Sequence, residues 1–204
     1  MKYYFKNRFS YDWLKYLAIM AACLFFWSSV FSVINNYAAE EKINIFLCAY
    51  ETVPGGKLTQ MHRSMEQQGI AQLNFNCYDH RSEKYPTVLA VKGIHGSDVL
   101  ILDEAGMELY LAGGNALALT EEVLANLLGD DRQAQIEYVQ DRPAAMKIYD
   151  PDDPAYNAQF DLSFLKLGEG RYYLIINGKT LHAEPYAQGV TGAVIDLCRM
   201  ILSK

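Results

Sequence analysis

The sequence predicts an α/β fold: a mainly parallel sheet, ordered 2-1-3 at its core, with helices on both faces, preceded by one N-terminal transmembrane helix. Three observations predict it. Leu17–Ile34, LAIMAACLFFWSSVFSVI, carries no charge over 18 residues. Beyond it, strand-like and helix-like stretches alternate three times, the pattern of a parallel sheet with right-handed crossovers. The strand-like stretches also differ in apolar content, which ranks them from the middle of a sheet to its side.

At about 1.5 Å per residue the uncharged stretch spans roughly 27 Å, close to the ~30 Å hydrocarbon core of a bilayer. A secretory signal would need small residues before its cleavage site. Cleavage after Ala38 or Ala39 puts Asn36 or Tyr37 at that position. Met20–Cys23 is followed by more apolar residues rather than a polar mature start. A retained anchor, or an uncleaved signal, is therefore expected over 17–34. Lys2, Lys6, Arg8 and Lys15 precede it and only Lys42 follows closely. The excess of basic residues puts residues 1–16 in the cytoplasm and the rest outside, a single-pass protein of the cell membrane. Trp13, Tyr16 and Trp27 suit a helix near an interface. Residues 35–42 read as a polar tether and 43–204 as one extracytoplasmic domain, long enough to bury its own core.

Ile43–Tyr50 is almost continuously apolar, as in a strand buried on both faces. Pro54-Gly55-Gly56 marks a turn, and Lys57–Gln68 carries Leu58, Met61 and Met65 at helical spacing, with Gly69 as the stop. Ala71–Tyr78 alternates apolar and polar residues, a strand with one face partly covered. Thr87–Lys92 reads as a short helix and Asp98–Leu102 as a second continuously buried strand. The first and third strands are thus central and the second peripheral, which is the order 2-1-3. An amphipathic segment then runs to Gly113-Gly114. Glu121–Leu128 starts after a Thr120 cap, with two acids in its first turn. Ile136–Val139, Met146–Tyr149 and Tyr172–Ile176 are strand candidates. Val190–Leu202 closes the chain as a helix with Val194, Leu197, Cys198 and Ile201 on one face.

Of the 18 basic residues, the four before the anchor leave 14 in the remainder, against 23 acids. This surface argues against nucleic acid as a partner. No zinc-spaced cysteine pair, P-loop, G-x-G-x-x-G or G-x-S-x-G occurs, so the chain is expected to have no cofactor, no metal and no catalytic residues.

The segment GIHGSDVLILDEAGMELYLAGGNALALTEEVLANLL resembles bacterial extracellular solute-binding proteins, the substrate receptors of ABC transporters. It carries Gly93, Gly96 and Asp98 at the opening of the third strand. Gly113-Gly114, Leu117–Leu119 and Glu121-Glu122 follow the short helix. KINIFLCAY and the C-terminal strand, Asn-containing loop and helix resemble the same family. The extracytoplasmic part is about half the length of such a receptor, so the resemblance is to a single periplasmic-binding-protein-like lobe. It implies a solute-binding domain that takes a sugar or other small polar solute and works with an ABC transport system. The alternative is an envelope protein-interaction module on the same fold.

In open parallel sheets ligands lie beyond the carboxyl ends of the strands, where the strand order reverses. That places Tyr50, Glu51 and Thr52 after the first strand and Asp103 and Glu104 after the third as the ligand-binding candidates. Tyr50 offers a ring for stacking and the carboxylates offer hydrogen-bond acceptors. Taken singly, Glu51 reads as a solvated acid, and Asp103 and Glu104 read as helix-dipole partners. Asp98 reads as a turn residue, His62 as a partner of Glu66, and His80 as part of a surface turn rather than a metal or catalytic group. The Asp150-Pro-Asp-Asp run has no EF-hand glycine and reads as a turn. Cys48 and Cys77 fall late in adjacent strands, where a disulfide and two buried thiols are both open.

Overall fold

β1 (Lys42–Leu47), β3 (Gln72–Cys77) and β4 (Val99–Asp103) form the parallel core of the computed structural model, which describes residues 2–35, 38–128, 135–139, 142–182 and 192–203. The chain divides into two units, Met1–Ala38 and Ala39–Lys204.

In the first unit, α1 (Lys2–Asn35) is one unbroken helix of 34 residues that includes the uncharged stretch. Its described apolar side chains, Leu24, Phe25, Phe26 and Trp27 among them, are exposed. Among the described residues no helix is long and apolar enough to cross a membrane. Part of the expected tether, 36–37, lies outside the described residues.

The second unit is an α/β domain around a six-stranded sheet of order β3-β1-β4-β8-β6-β5. The expected 2-1-3 core is present as β3-β1-β4. β1 is buried from Ile45 to Leu47 and β4 from Val99 to Leu102, while most of β3 is half-buried. These burials follow the apolar ranking of the three sequences. From β1 the chain passes left to β3 through α2 (Gly56–Gln67), then right to β4 through α3 (Tyr85–Val88) and a π-helical turn, Leu89–Ile94. Right-handed crossovers in opposite directions put these helices on opposite faces. Phe46 meets Tyr85 of α3 at 6.1 Å between ring centroids. Gly93 packs bare against Leu89 and Leu100, and an added Cβ would lie 2.5 Å from Leu89 Cδ1.

The other half of the sheet corrects the expectation of a mainly parallel arrangement. β8 (Tyr172–Ile176) is antiparallel to β4, and β6 (Arg142–Tyr149) and β5 (Gln135–Val139) follow antiparallel in turn. β8 is buried throughout, as an interior strand must be. An antiparallel neighbour needs no helical crossover, so the apolar run TyrTyrLeuIleIle announces burial without direction. β6 begins four residues before the expected Met146, because Arg142–Ala145 pairs with β5 around a bulge. The short strands β2 (Glu51–Thr52) and β7 (Leu165–Lys166) pair beside this sheet. α4 (Glu104–Gly113), α5 (Glu121–Leu128), α6 (Pro154–Asn157) and α7 (Ala193–Leu202) complete the domain. Val190 and Thr191, expected in the last helix, lie outside the described residues.

Asp98 bridges the sheet as the turn reading expects. Its carboxylate accepts from Asn44 N–H at 2.8 Å and from the Thr180 hydroxyl. His62 lies edge-on to Phe75. Asp150 is more than a turn residue. It is buried, and its carboxylate meets Lys147 Nζ at 2.7 Å and Arg171 Nε at 3.2 Å. The Lys147 hydrogen bond, the Asp152 amide and the two cations hold this carboxyl below the ordinary Asp range despite the opposing effect of desolvation. A lowered carboxyl contributes stability above its unfolded value of about 4, and that contribution is lost as the pH falls through the folded value. The thermal midpoint is therefore expected to drop as the pH goes below about 4. Asp150→Asn should flatten that drop, read from melts across a pH series.

Candidate functional site

The parallel strands deliver three donor side chains to one place. β1 ends at Leu47, and Cys48 extends its ladder by donating N–H to Ile101 O at 2.7 Å. β3 ends at Cys77, and Tyr78 N–H donates to Leu47 O at 2.8 Å. That bond draws the following turn, with His80, over the end of β1. β4 ends on Asp103. One donor atom from each of Cys48, His80 and Asp103 lies within 4.8 Å of the other two.

Each group has a defined state. Cys48 is fully buried, and burial pushes its thiol up to about 12; the Tyr85 hydroxyl opposes the rise and the Asp103 charge adds to it. Asp103 is half-buried and caps α4, its Oδ1 accepting the Gly106 N–H at 3.0 Å. His80 is half-buried, with its ring 6.5 Å from that of Tyr50. Tyr50 is exposed and carries the Arg81 guanidinium 5.3 Å over its ring. Cys48 is thus the deep end of the cluster, and His80 with Tyr50 is its solvent side.

Two glycines let the groups close up. A Cβ on Gly168 would lie 2.9 Å from Tyr172 Oη, 3.1 Å from His80 Cε1 and 3.4 Å from Tyr50 Oη. The backbone here forms a wall of the site, and Gly168 N–H donates to Tyr172 Oη at 2.8 Å. Gly106 does the same on the inner side: an added Cβ would lie 2.6 Å from Tyr85 Oη and 2.7 Å from Asp103 Oδ1. Tyr85 is only 6% exposed, and its hydroxyl, which faces Cys48 and Asp103, makes no hydrogen bond of ordinary geometry among the described residues. A buried hydroxyl in that state costs about 1–3 kcal/mol.

Alanine in place of glycine within a helix gains about 1 kcal/mol in propensity. At Gly106 the collision outweighs this gain. Gly106→Ala is expected to lower stability by roughly 1–3 kcal/mol, the range for overpacking. Denaturant titration measures it, and a neutral result would show that Tyr85 and Asp103 move apart freely.

Of the five residues predicted from sequence, Tyr50 and Asp103 come together here. The other three take no part in the donor cluster. Glu51 is exposed on β2 and pairs with Lys166 at 2.9 Å. Thr52 pairs with Leu165. Glu104 begins α4, exposed, with Arg171 3.9 Å away. His80 lies in a turn as expected, half-buried, and that turn brings it to Asp103 and to Cys48, which is a buried thiol. Both were findable: in the order 2-1-3 each follows the end of a parallel strand, beside Asp103 at the end of β4. Cys48 and Cys77 are free thiols, which removes the disulfide alternative. No protein-family model, curated protein or solved structure matches this chain.

Proposed function

We propose that the chain is a membrane-anchored, extracytoplasmic binding domain that takes a small polar solute at the carboxyl ends of its parallel strands and works with a membrane transport protein. The observation that carries this reading is the gathering of Cys48, His80, Asp103 and Tyr50 beyond β1, β3 and β4, where the strand order reverses. This is where open parallel sheets bind ligands. Tyr50 offers an exposed ring to a sugar or a cation. Asp103 and His80 supply hydrogen-bonding groups to a polar solute. The acidic extracytoplasmic surface disfavours nucleic acid as the ligand.

The anchor rests on α1. Its uncharged stretch lies in one continuous helix, and contiguous exposed side chains such as Phe25, Phe26 and Trp27 need a cover of lipid or protein. The basic residues before that stretch favour a cytoplasmic N-terminus. The full chain in detergent micelles, screened by thermal shift against sugars, amino acids and divalent cations, tests the binding reading. A ligand of the folded state raises the midpoint by mass action. One solute class should do so, and for a sugar or amino acid Tyr50→Ala should remove the effect. No shift at millimolar concentration for any class would sink it.

A second reading, thiol catalysis, has the proximity of Cys48 to His80 and Asp103 in its favour. Against it, a nucleophile works as an accessible thiolate, whereas Cys48 is fully buried with its thiol pushed up. In a catalytic triad the base stands between nucleophile and orienting acid. Here Asp103 lies against Cys48 itself. Rapid alkylation of Cys48 by iodoacetamide at neutral pH would reverse this preference.

A further inference from the structure

We infer that the strand-end site takes a divalent transition metal, of the zinc class, through Cys48, His80 and Asp103. This deepens the solute-binding reading and rests on it, by naming the chemical class of the solute.

The donor set comes first. Thiolate, imidazole and carboxylate together match zinc and its neighbours, whereas calcium and magnesium take oxygen ligands. Three protein ligands with a fourth position left to water or another ligand is a known open zinc arrangement. The ligands come from three separate strand ends, so the fold holds them rather than one flexible loop.

The geometry comes second. The three donor atoms lie within 4.8 Å of one another. Tetrahedral zinc with bonds of about 2.0–2.3 Å sets its ligand atoms about 3.3–3.8 Å apart. The site therefore needs at most a small contraction to reach that geometry. Mutual convergence of all three pairs is what one central ion requires.

The third observation concerns a neighbouring hydroxyl that is not itself a ligand. Tyr85 is only 6% exposed, and its hydroxyl, turned to Cys48 and Asp103, makes no hydrogen bond of ordinary geometry among the described residues. Metal-bound thiolate and carboxylate are strong acceptors, and outer hydrogen bonds to ligands are a regular part of metal sites. With a metal in place, the Tyr85 O–H has a charged acceptor to donate to. Gly106 N–H already fixes Asp103 Oδ1 at 3.0 Å, which orients that ligand. Tyr85 is thus a positioning residue. His80 is half-buried and Tyr50 exposed, so a fourth ligand would come from the solvent side.

Cobalt(II) titration of the reduced full chain in detergent micelles tests this, because cobalt bound by thiolate shows a near-ultraviolet charge-transfer band. One equivalent should bind, with that band, and zinc should displace it. Cys48→Ser should abolish the band. His80→Ala and Asp103→Asn should each weaken binding by about 100-fold or more, beyond the roughly 10–100-fold expected for the outer residue in Tyr85→Phe. Asparagine caps a helix as well as aspartate, so Asp103→Asn keeps α4 capped while it removes the charged ligand. His95→Ala, on an exposed position, should change nothing. A band that survives Cys48→Ser, or affinity unchanged in His80→Ala, overturns the assignment. If no metal binds but a sugar or amino acid still raises the midpoint in a Tyr50-dependent way, the metal inference falls and solute binding stands. If neither metal nor solute acts, both fall.

Discussion

Phe46→Ala is expected to lower the stability of the α/β domain by about 3–5 kcal/mol, the range for truncating a large buried aromatic. Phe46 lies in β1, a strand with neighbours on both sides, and is fully buried. Its ring stacks on Tyr78 at 4.6 Å and lies 6.1 Å from that of Tyr85. Truncation therefore leaves a cavity between the sheet and α3 that β1, paired on both edges, cannot collapse to fill. Domains of this size carry about 5–15 kcal/mol in total. The loss should appear as a fall in thermal midpoint of roughly 6–20 °C. Tyr78 and Tyr85 lie on either side of the His80 turn, so the same change should loosen the strand-end site. Phe46→Leu, which retains most of the volume, should recover much of the stability. An effect below about 1 kcal/mol for Phe46→Ala, typical of surface substitutions, would mean that β1 is not the centre of the core.

What the sequence makes legible depends on the kind of physical constraint. The order of β3, β1 and β4 is written in side-chain polarity, since a central strand must be apolar on both faces and a peripheral one need not be. Asn74 and Asn76 of the peripheral β3 show this directly, whereas Asn44, a polar exception in β1, is met by a hydrogen bond from Asn74 at 2.9 Å on paired positions of the two strands. Asp103 is legible because a strand that stops on an acid before a helix places that acid as a cap. The direction of β8 is not legible, because antiparallel pairing leaves no crossover pattern in the chain. His80 is hidden for another reason. It lies in a polar turn, where no periodicity marks it, and only the convergence of three strand ends gives it neighbours. Cys48 reads as core filler because it is core filler by burial; its chemistry comes from Asp103 and His80, distant in sequence. Glu51 and Glu104 sit next to the right positions in sequence but are exposed, beside Lys166 and Arg171. A one-residue step at a strand end separates a site residue from a solvated one.

Lys57→Met is expected to cost about 2–4 kcal/mol, because it strips a largely covered cation from several carbonyl acceptors at once. Lys57 is the second residue of α2, and its side chain is 16% exposed. Its Nζ donates to Asp161 O at 2.5 Å, Ser203 O at 2.6 Å and Ile201 O at 3.1 Å. It also lies 3.6 Å from the Asp161 carboxylate and 5.5 Å from the Phe164 ring centre. The last carbonyls of a helix lack partners within it and carry the negative end of its dipole. The ammonium of Lys57 supplies that partner to the end of α7, and so ties the start of the first crossover helix to the last helix described and to the 161–164 loop. Methionine keeps the length of the stem and removes only the charge and the donors. The carbonyls of Ile201 and Asp161 then lose a partner they cannot readily exchange for water. Ordinary surface lysines contribute little, so α2 carries an internal contrast: Arg63, exposed on the same helix, should be replaceable by Met at within about 0.5 kcal/mol. Urea titrations with an unchanged slope isolate the stability term. Equal midpoints for the two variants would show that the α7 carbonyls find water, and that the last helix holds its place by apolar packing alone.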